Sequence, residues 1–342
     1  MAVPTGNETD LEIPKRNVIS LFVDDYRASS EALSQIEDSH LSKEQRDQFR
    51  QLIREYADVF AEDENALGRT DEIQHEIKLT NETPVKQAHY RVAHNKKKFL
   101  DEEVQRMLKQ GIVVESDSPW ASPVVLIRKP NGKWRFCVDF RLLNAQTSKD
   151  AFPLPIIDDL LDAMNGAKYY TSLDLQAGFW QIGMDPRDQQ KTAFCTPDGL
   201  FEFTVMPFGL TNAPATFQQL MTKVLKGLTY KSVVVFIDDL SVFSHTWEDH
   251  LAHLRAVFDR LRKAGLRLNI AKSHFARSEQ TFLGFIVSKD GIKTDPGKVK
   301  AMEKFKTPKE VKNIREFLGT TGFYRRFIKD YSKIVHPLNR LI

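Results

Sequence analysis

The chain has 342 residues, 41% of them hydrophobic and 28% charged, with 49 Lys and Arg against 46 Asp and Glu for a net charge of +3. That composition belongs to a globular protein and excludes collagen-like, coiled-coil and wholly disordered chains. Two cysteines, Cys137 and Cys195, exclude a disulfide scaffold and a multi-cysteine zinc module. In chain order, residues 1–40 are polar and without period, which predicts a linker or poorly ordered arm. Their start has no apolar core behind a basic end, so no secretory signal is expected, and no run of about 18 apolar residues predicts a membrane span. A cytoplasmic or nuclear location is expected. Phe49, Leu52, Ile53, Tyr56, Val59 and Phe60 recur at helical spacing, predicting one amphipathic helix over 41–61.

Phe99, Leu100, Val104, Met107 and Leu108 mark a second helix, stopped by Gly111. SPVVLIRK and WRFCVDF read as a hairpin with Asn131-Gly132 in its turn. IIDDLLDAM follows Pro153 and Pro155 as a helix, and KYYTSLDL is a strand. A helix after Asn212-Ala213-Pro214 carries Phe217, Leu220, Met221 and Val224 on one side. KSVVVFIDDLSVFS reads as a hairpin with two acids at its turn. Trp247 to Leu261 form another helix, closed by Gly265. Two helix starts remain: Asp295 before Pro296, and a capping box at Thr307-Pro308-Lys309-Glu310. Strands and helices mix without strict alternation, which predicts an α+β fold with an antiparallel sheet.

The charge is a cancellation. Residues 1–73 sum to −9 and residues 293–342 to +8, so the tail can meet phosphate and the head cannot. An acidic head folded against the basic tail is a further expectation.

Three carboxylates stand out. Asp238 and Asp239 adjoin between apolar strands, with no Lys or Arg within four residues. Two like charges about 4 Å apart repel by roughly 4 kcal/mol at an effective dielectric of 20. An exposed Asp turn and a bound divalent cation both fit the pair. Asp174 ends another apolar strand, again without a basic neighbour. Three carboxylates at strand ends could hold two Mg²⁺ for in-line attack at phosphorus. Lys129 and Arg135 flank the first hairpin's turn and could grip a triphosphate, or could simply be solvated.

Over roughly residues 74–342 the order of motifs resembles gypsy-type long-terminal-repeat retrotransposon reverse transcriptases. The series includes SPVVLIRKPNGKWRFCVDFRLLN, SLDLQAGFWQI, VMPFGLTNAPATFQQLM, VVFIDDLSVFS, FLGFIVSKDGI and REFLGTTGFYRRFI. The resemblance implies a right-hand polymerase fold. Its expected parts are an acidic N-terminal arm over 1–73, mainly fingers over 74–170, mainly palm over 171–291 and thumb over 292–342. It implies RNA-directed DNA synthesis on an RNA or DNA template with a primer, from deoxynucleoside triphosphates, with Mg²⁺ or its substitute Mn²⁺. Asp174, Asp238, Asp239 and the backbone of Leu175 would hold metal. Lys129, Arg135, Phe179 (as a steric gate or an ordinary core aromatic) and Phe208 would bind nucleotide. Lys272 would give a proton to pyrophosphate or be a surface lysine. Asp139, Arg141 and Asn144 would position the template, and Leu283 and Gly284 would meet the primer. Tyr324, Arg325 and Arg326 are candidates for duplex contact. Protease, RNase H and integrase are expected to be missing. A domesticated or decayed copy that binds nucleic acid without catalysis is the alternative. It predicts the loss of a key carboxylate, and all three are present.

Overall fold

A computed structural model describes residues 41–342 apart from residues 64, 130, 131 and 304. The polar arm expected over 1–40, and Asn131 of the hairpin turn, lie outside the described residues.

Helix α1 (Lys43–Glu55) starts at a reciprocal capping box: Ser42 Oγ accepts from the Gln45 N–H, and Gln45 Oε1 accepts from the Ser42 N–H. Strand β1 (Thr70–His75) and helix α2 (His94–Lys109) follow. The helix stops at Gly111, whose φ of +65° suits glycine. Next come β2 (Val113–Glu115), then β3 (Ser122–Arg128) and β4 (Trp134–Val138), the expected hairpin. Helices α3 (Arg141–Gln146) and α4 (Ile157–Met164) lead into β5 (Tyr169–Leu175), β6 (Ile182–Met184), β7 (Phe194–Thr196) and β8 (Gly199–Phe203). Helix α5 (Ala213–Val224) has proline in its first turn, where the missing N–H costs nothing. The second hairpin is β9 (Val233–Phe236) and β10 (Asp239–Ser244), followed by α6 (Trp247–Lys263) and the long β11 (Leu268–Arg277). The chain ends in β12 (Glu279–Phe282), β13 (Phe285–Ser288), β14 (Gly291–Thr294), α7 (Pro296–Glu303), α8 (Val311–Phe323) and α9 (Tyr331–Asn339). No described helix is long and apolar enough to cross a membrane.

These elements make an α+β fold. The central sheet, ordered β11-β5-β10-β9, is antiparallel throughout. A second sheet is ordered β2-β8-β7-β3-β4, and a third β12-β13-β14. Two pairings are parallel, β1 with β6 and β3 with β7, so the expected antiparallel sheet describes the centre but not the whole. Alternation along the central strands gives the sheet two apolar faces. Leu173, Leu175, Val233, Val235, Leu240 and Val242 join the main core. Tyr170, Val234 and Phe243 join a smaller core with α4, the β12–β13 hairpin and Tyr324.

Three expectations are corrected where the described residues bear on them. The segment 41–73 is not an arm, because Phe49, Leu52, Ile53, Tyr56 and Phe60 are buried in the main core. Among the described residues, none of its acids pairs with the basic tail; the acids of residues 1–40 lie outside the described residues. Glu55 pairs with Arg255 at 2.5 Å and Asp58 with Arg262 at 2.5 Å, both on α6. Nor does a helix start at Thr307: α8 begins at Val311 with Glu310 at its N-cap. Leaving 305–309 unwound lets the Phe305 ring meet Phe317 edge-on at 5.7 Å.

The turn after α6 shows how tightly the core is drawn. Gly265 sits at φ +69°, and a Cβ there would fall on the Arg69 carbonyl oxygen. Gly265→Ala is expected to cost at least about 2 kcal/mol, because both partners are backbone and cannot swing away. Urea unfolding measures it, and a loss under about 0.5 kcal/mol contradicts the packing described.

Candidate active site

The central sheet brings the three carboxylates to one end of one face. In the β10–β5 ladder Leu240 faces Leu173. One step further along this antiparallel register Asp239 lies across from Asp174. Directly opposed like charges destabilise a sheet. Asp238 occupies the turn between β9 and β10, next to Asp239. The three groups feel one another. Burial and the charges of Asp239 and Asp174 push the Asp238 carboxyl up to about 6. Burial and Asp174 push Asp239 up as well. Asp174 is raised by burial and partly held down by Lys272. Neither Asp238 nor Asp239 has an ion pair among the described residues.

Lys272 reaches Asp174 through an irregularity in β11. The β11–β5 register runs Asn269↔Asp174 and then jumps to His274↔Ser172, a bulge that re-aims the intervening side chains. Two polar groups pin it. Ser273 Oγ accepts from the Asp174 N–H at 3.2 Å and donates to the Asn269 carbonyl at 2.7 Å. Asn269 Oδ1 accepts from the Lys272 N–H at 3.0 Å. Lys272 Nζ then lies 3.7 Å from Asp174 Oδ1, with its side chain 64% exposed. Sequence reading missed Asn269 and Ser273 because neither carries charge and neither sits in a periodic pattern.

The chain turns sharply after β5. Ala177 takes φ +46°, and Gln181 holds the turn by donating from Nε2 to the carbonyls of Gln176 at 2.8 Å and Arg267 at 2.9 Å. Leu175 points into the main core, 6% exposed, so it could offer a ligand only backbone. Phe179 is 7% exposed. It stacks on Phe208, with centroids 5.0 Å apart and rings 20° from parallel, and meets Phe217 at 5.4 Å. Phe208 is the outer, exposed ring of this pile.

On the β3–β4 hairpin, Ile127 faces Arg135, and the Lys129 N–H donates to the Lys133 carbonyl at 2.8 Å. Period-two alternation therefore puts Lys129 and Arg135 on one face. Both are exposed.

Three residues expected at the template are engaged within the protein. Arg141 grips Asp139 in a bidentate pair at 2.8 and 2.6 Å, and Tyr90 OH donates to Asp139 at 3.1 Å. The guanidinium holds Asp139 down to about 2. Asn144 donates to the Gly209 carbonyl at 2.8 Å and accepts from the Thr211 N–H at 2.9 Å. Asp139 and Asn144 thus shape the surface, and Arg141, 83% exposed in its side chain, is the one of the three turned outward. Leu283 (φ +49°) and Gly284 (φ +82°) form the β12–β13 turn, and the Gly284 carbonyl accepts from Tyr324 OH at 3.0 Å. Arg326 pairs with Asp158 at 3.0 Å and so is tied to α4.

The donor set suits a hard divalent cation: three carboxylates, oxygen only, whose mutual repulsion Lys272 relieves only at Asp174. The side chains have not closed around one point, since no three His, Cys, Asp or Glu groups among the described residues stand close enough to grip an ion together. Asp174 instead faces Lys272.

Residues 127–287 match the family model "Reverse transcriptase (RNA-dependent DNA polymerase)". The chain is 39% identical over 310 residues to the retrovirus-related Pol polyprotein from transposon 297 of Drosophila melanogaster, covering 89% of this chain. It is 35% identical over 301 residues to that from transposon gypsy of the same fly, covering 86%. It spans only 29% of the length of each. Among solved structures, a foamy viral protease–reverse transcriptase with double-stranded DNA superposes at a TM-score of 0.81 and 25% identity. That match covers 99% of this chain and 57% of the other. The same enzyme with an RNA/DNA hybrid gives 0.77 at 25% identity, covering 99% and 44%. The right-hand polymerase fold expected from the sequence is the fold of this chain.

Proposed function

We propose that this chain, whose residues 127–287 match the reverse transcriptase (RNA-dependent DNA polymerase) family model, is an RNA-directed DNA polymerase. It extends a primer 3′-OH with deoxynucleotides on an RNA template, and on a DNA template as well. The observation that carries the reading is the end of the central sheet, where the ladder closes at Leu240 and Leu173, next to Asp239 and Asp174, and the turn adds Asp238, so that the carboxylates raise one another.

In this reading Asp174, Asp238 and Asp239, with the Leu175 backbone, hold two Mg²⁺. When bound, such ions activate the attacking hydroxyl and neutralise charge on the departing pyrophosphate. Lys129 and Arg135 sit on one hairpin face and grip the triphosphate, the guanidinium bidentately and the ammonium as a point charge. Phe179, propped by Phe208 and Phe217, is a wall under the sugar that a 2′-OH would strike. Lys272, beside Asp174, is placed to hand a proton to the leaving group. The duplex lies along residues 292–342, the proposed thumb, with Leu283 and Gly284 at the primer. The foamy viral enzyme's complexes with double-stranded DNA and an RNA/DNA hybrid support a duplex partner here. Residues 74–170 act mainly as fingers and 171–291 mainly as palm.

The test is primer extension: an oligo(dT) primer on poly(rA), then on poly(dA), with dTTP and Mg²⁺ or Mn²⁺. Incorporation on the RNA template is expected. Duplex binding without incorporation under either metal would sink the reading and favour a non-catalytic nucleic-acid binder.

A further inference from the structure

The turn that carries Asp238 is built against its own sequence. Phe236 and Asp239 close the β9–β10 ladder, so Ile237 and Asp238 alone make the turn. Ile237 has φ +54°, and Asp238 is not among the positive-φ residues. A two-residue hairpin turn with positive φ at its first central position is of the II′ kind, and glycine is the usual occupant there. A β-branched residue in this region is a genuine outlier. Strain of this sort persists only where the surroundings over-determine it, and it gathers at functional sites.

One side chain supplies that constraint. Gln218, on α5, is 3% exposed. Its Oε1 accepts from the Ile237 N–H at 2.7 Å, and its Nε2 donates toward the Val235 carbonyl at 3.5 Å. The amide therefore holds the backbone on both sides of Phe236, one residue short of Asp238. Next to it on the same helix, Phe217 packs under Phe179. A single turn of α5 thus supports both the carboxylate turn and the aromatic floor.

We propose that Gln218 is a positioning residue for nucleotide transfer: its bond to the Ile237 N–H fixes the strained turn and so aims the Asp238 carboxylate. The inference rests on the reading of Asp238 as a metal-holding group. It goes beyond that reading in naming what holds the group in place. A buried glutamine that merely satisfies its own hydrogen bonds would contribute to stability and leave the rate per folded molecule unchanged.

The experiment is a double-mutant cycle of Gln218→Leu and Ile237→Gly in the full chain. Glycine adopts the left-handed conformation without strain, so it removes the need for the clamp. Single-turnover incorporation of dTTP on oligo(dT)/poly(rA) with Mg²⁺ is measured alongside duplex affinity and melting temperature. Misplacement of a reacting group by about 1 Å can cost about a hundredfold in rate. Gln218→Leu is expected to lower the saturating rate constant by about tenfold or more, with duplex affinity within about threefold of the parent. In the Ile237→Gly background the same substitution is expected to cost less than about threefold. If Gln218→Leu does not fold, Gln218→Met, of similar length and without the acceptor oxygen, replaces it. A rate within about threefold of the parent, or equal losses in the two backgrounds, overturns the proposal. If the parent chain and Asp238→Asn incorporate alike, the functional reading falls and takes the proposal with it. A parent that depends on Asp238 but not on Gln218 overturns the proposal alone.

Discussion

Asp238→Asn is expected to lower nucleotide incorporation by about a thousandfold while leaving duplex affinity within about threefold. The substitution keeps size and shape and removes one charge. At about 4 Å and an effective dielectric of 20, one unit charge on a cation is worth about 4 kcal/mol, and 1.36 kcal/mol is a factor of ten in rate. In the proposed reading the duplex is held elsewhere, by basic side chains along its backbone, so its affinity and salt slope should not move. The same substitution is expected to raise the melting temperature of the metal-free protein. Burial and the neighbouring acids push the Asp238 carboxyl up to about 6. At pH 7 the folded protein therefore keeps a charge it would rather neutralise, and stability is lost to that repulsion. Although neighbouring atoms crowd the Asp238 carboxyl, the residue keeps a face open to water, so solvent screening reduces the gain to about 1 kcal/mol. A variant that loses activity and gains stability identifies a group kept for chemistry. One that incorporates nucleotides at the parent's rate removes Asp238 from the mechanism.

Phe60→Ala is expected to cost about 3–5 kcal/mol of stability and to lower the melting temperature by about 10 °C. The ring is 1% exposed. It packs edge-on against Phe258 at 5.6 Å and Phe275 at 6.2 Å, and the backbone continues the contact, with the Ala61 N–H donating to the Leu268 carbonyl at 2.9 Å. The residue thus joins α6 to β11, the strand that pairs with Asp174's strand. A loss below about 1 kcal/mol by calorimetry would return residues 41–61 to the status of an appendage.

How much of this was legible in the residues varies by element. The hairpin with two acids at its turn could be read directly, because apolar alternation marked both strands and the charges marked the break. Its mate, Asp174, was visible as a charge ending an apolar strand. That the two meet was not visible, since register across β5 and β10 depends on pairing between segments about 65 residues apart. The helix at 43–55 was plain from its period, yet its apolar face said nothing of what would cover it, so its burial in the main core could not be read. Thr307-Pro308 carried a sound capping signal, yet the helix starts at Val311, after the segment whose Phe305 meets Phe317. Asp139 and Asn144 were expected to position the template by resemblance alone, because sequence does not show Arg141 or Gly209 already holding them. The backbone strain at Ile237 left no trace in composition at all.

The seat of α1 on α6 also sets a timetable for synthesis. Phe49 of α1 meets the Phe275 ring at 5.4 Å, and just past the helix Tyr56 donates its phenol to Asp259, 203 residues later, while Phe60 finds its rings at 258 and 275. Ribosomes add about 5–20 residues per second. The apolar face of α1 therefore waits on the order of 10–40 s, uncovered, before its partners emerge. Chaperone occupancy on the growing chain should peak in that interval and fall once β11 has cleared the exit tunnel.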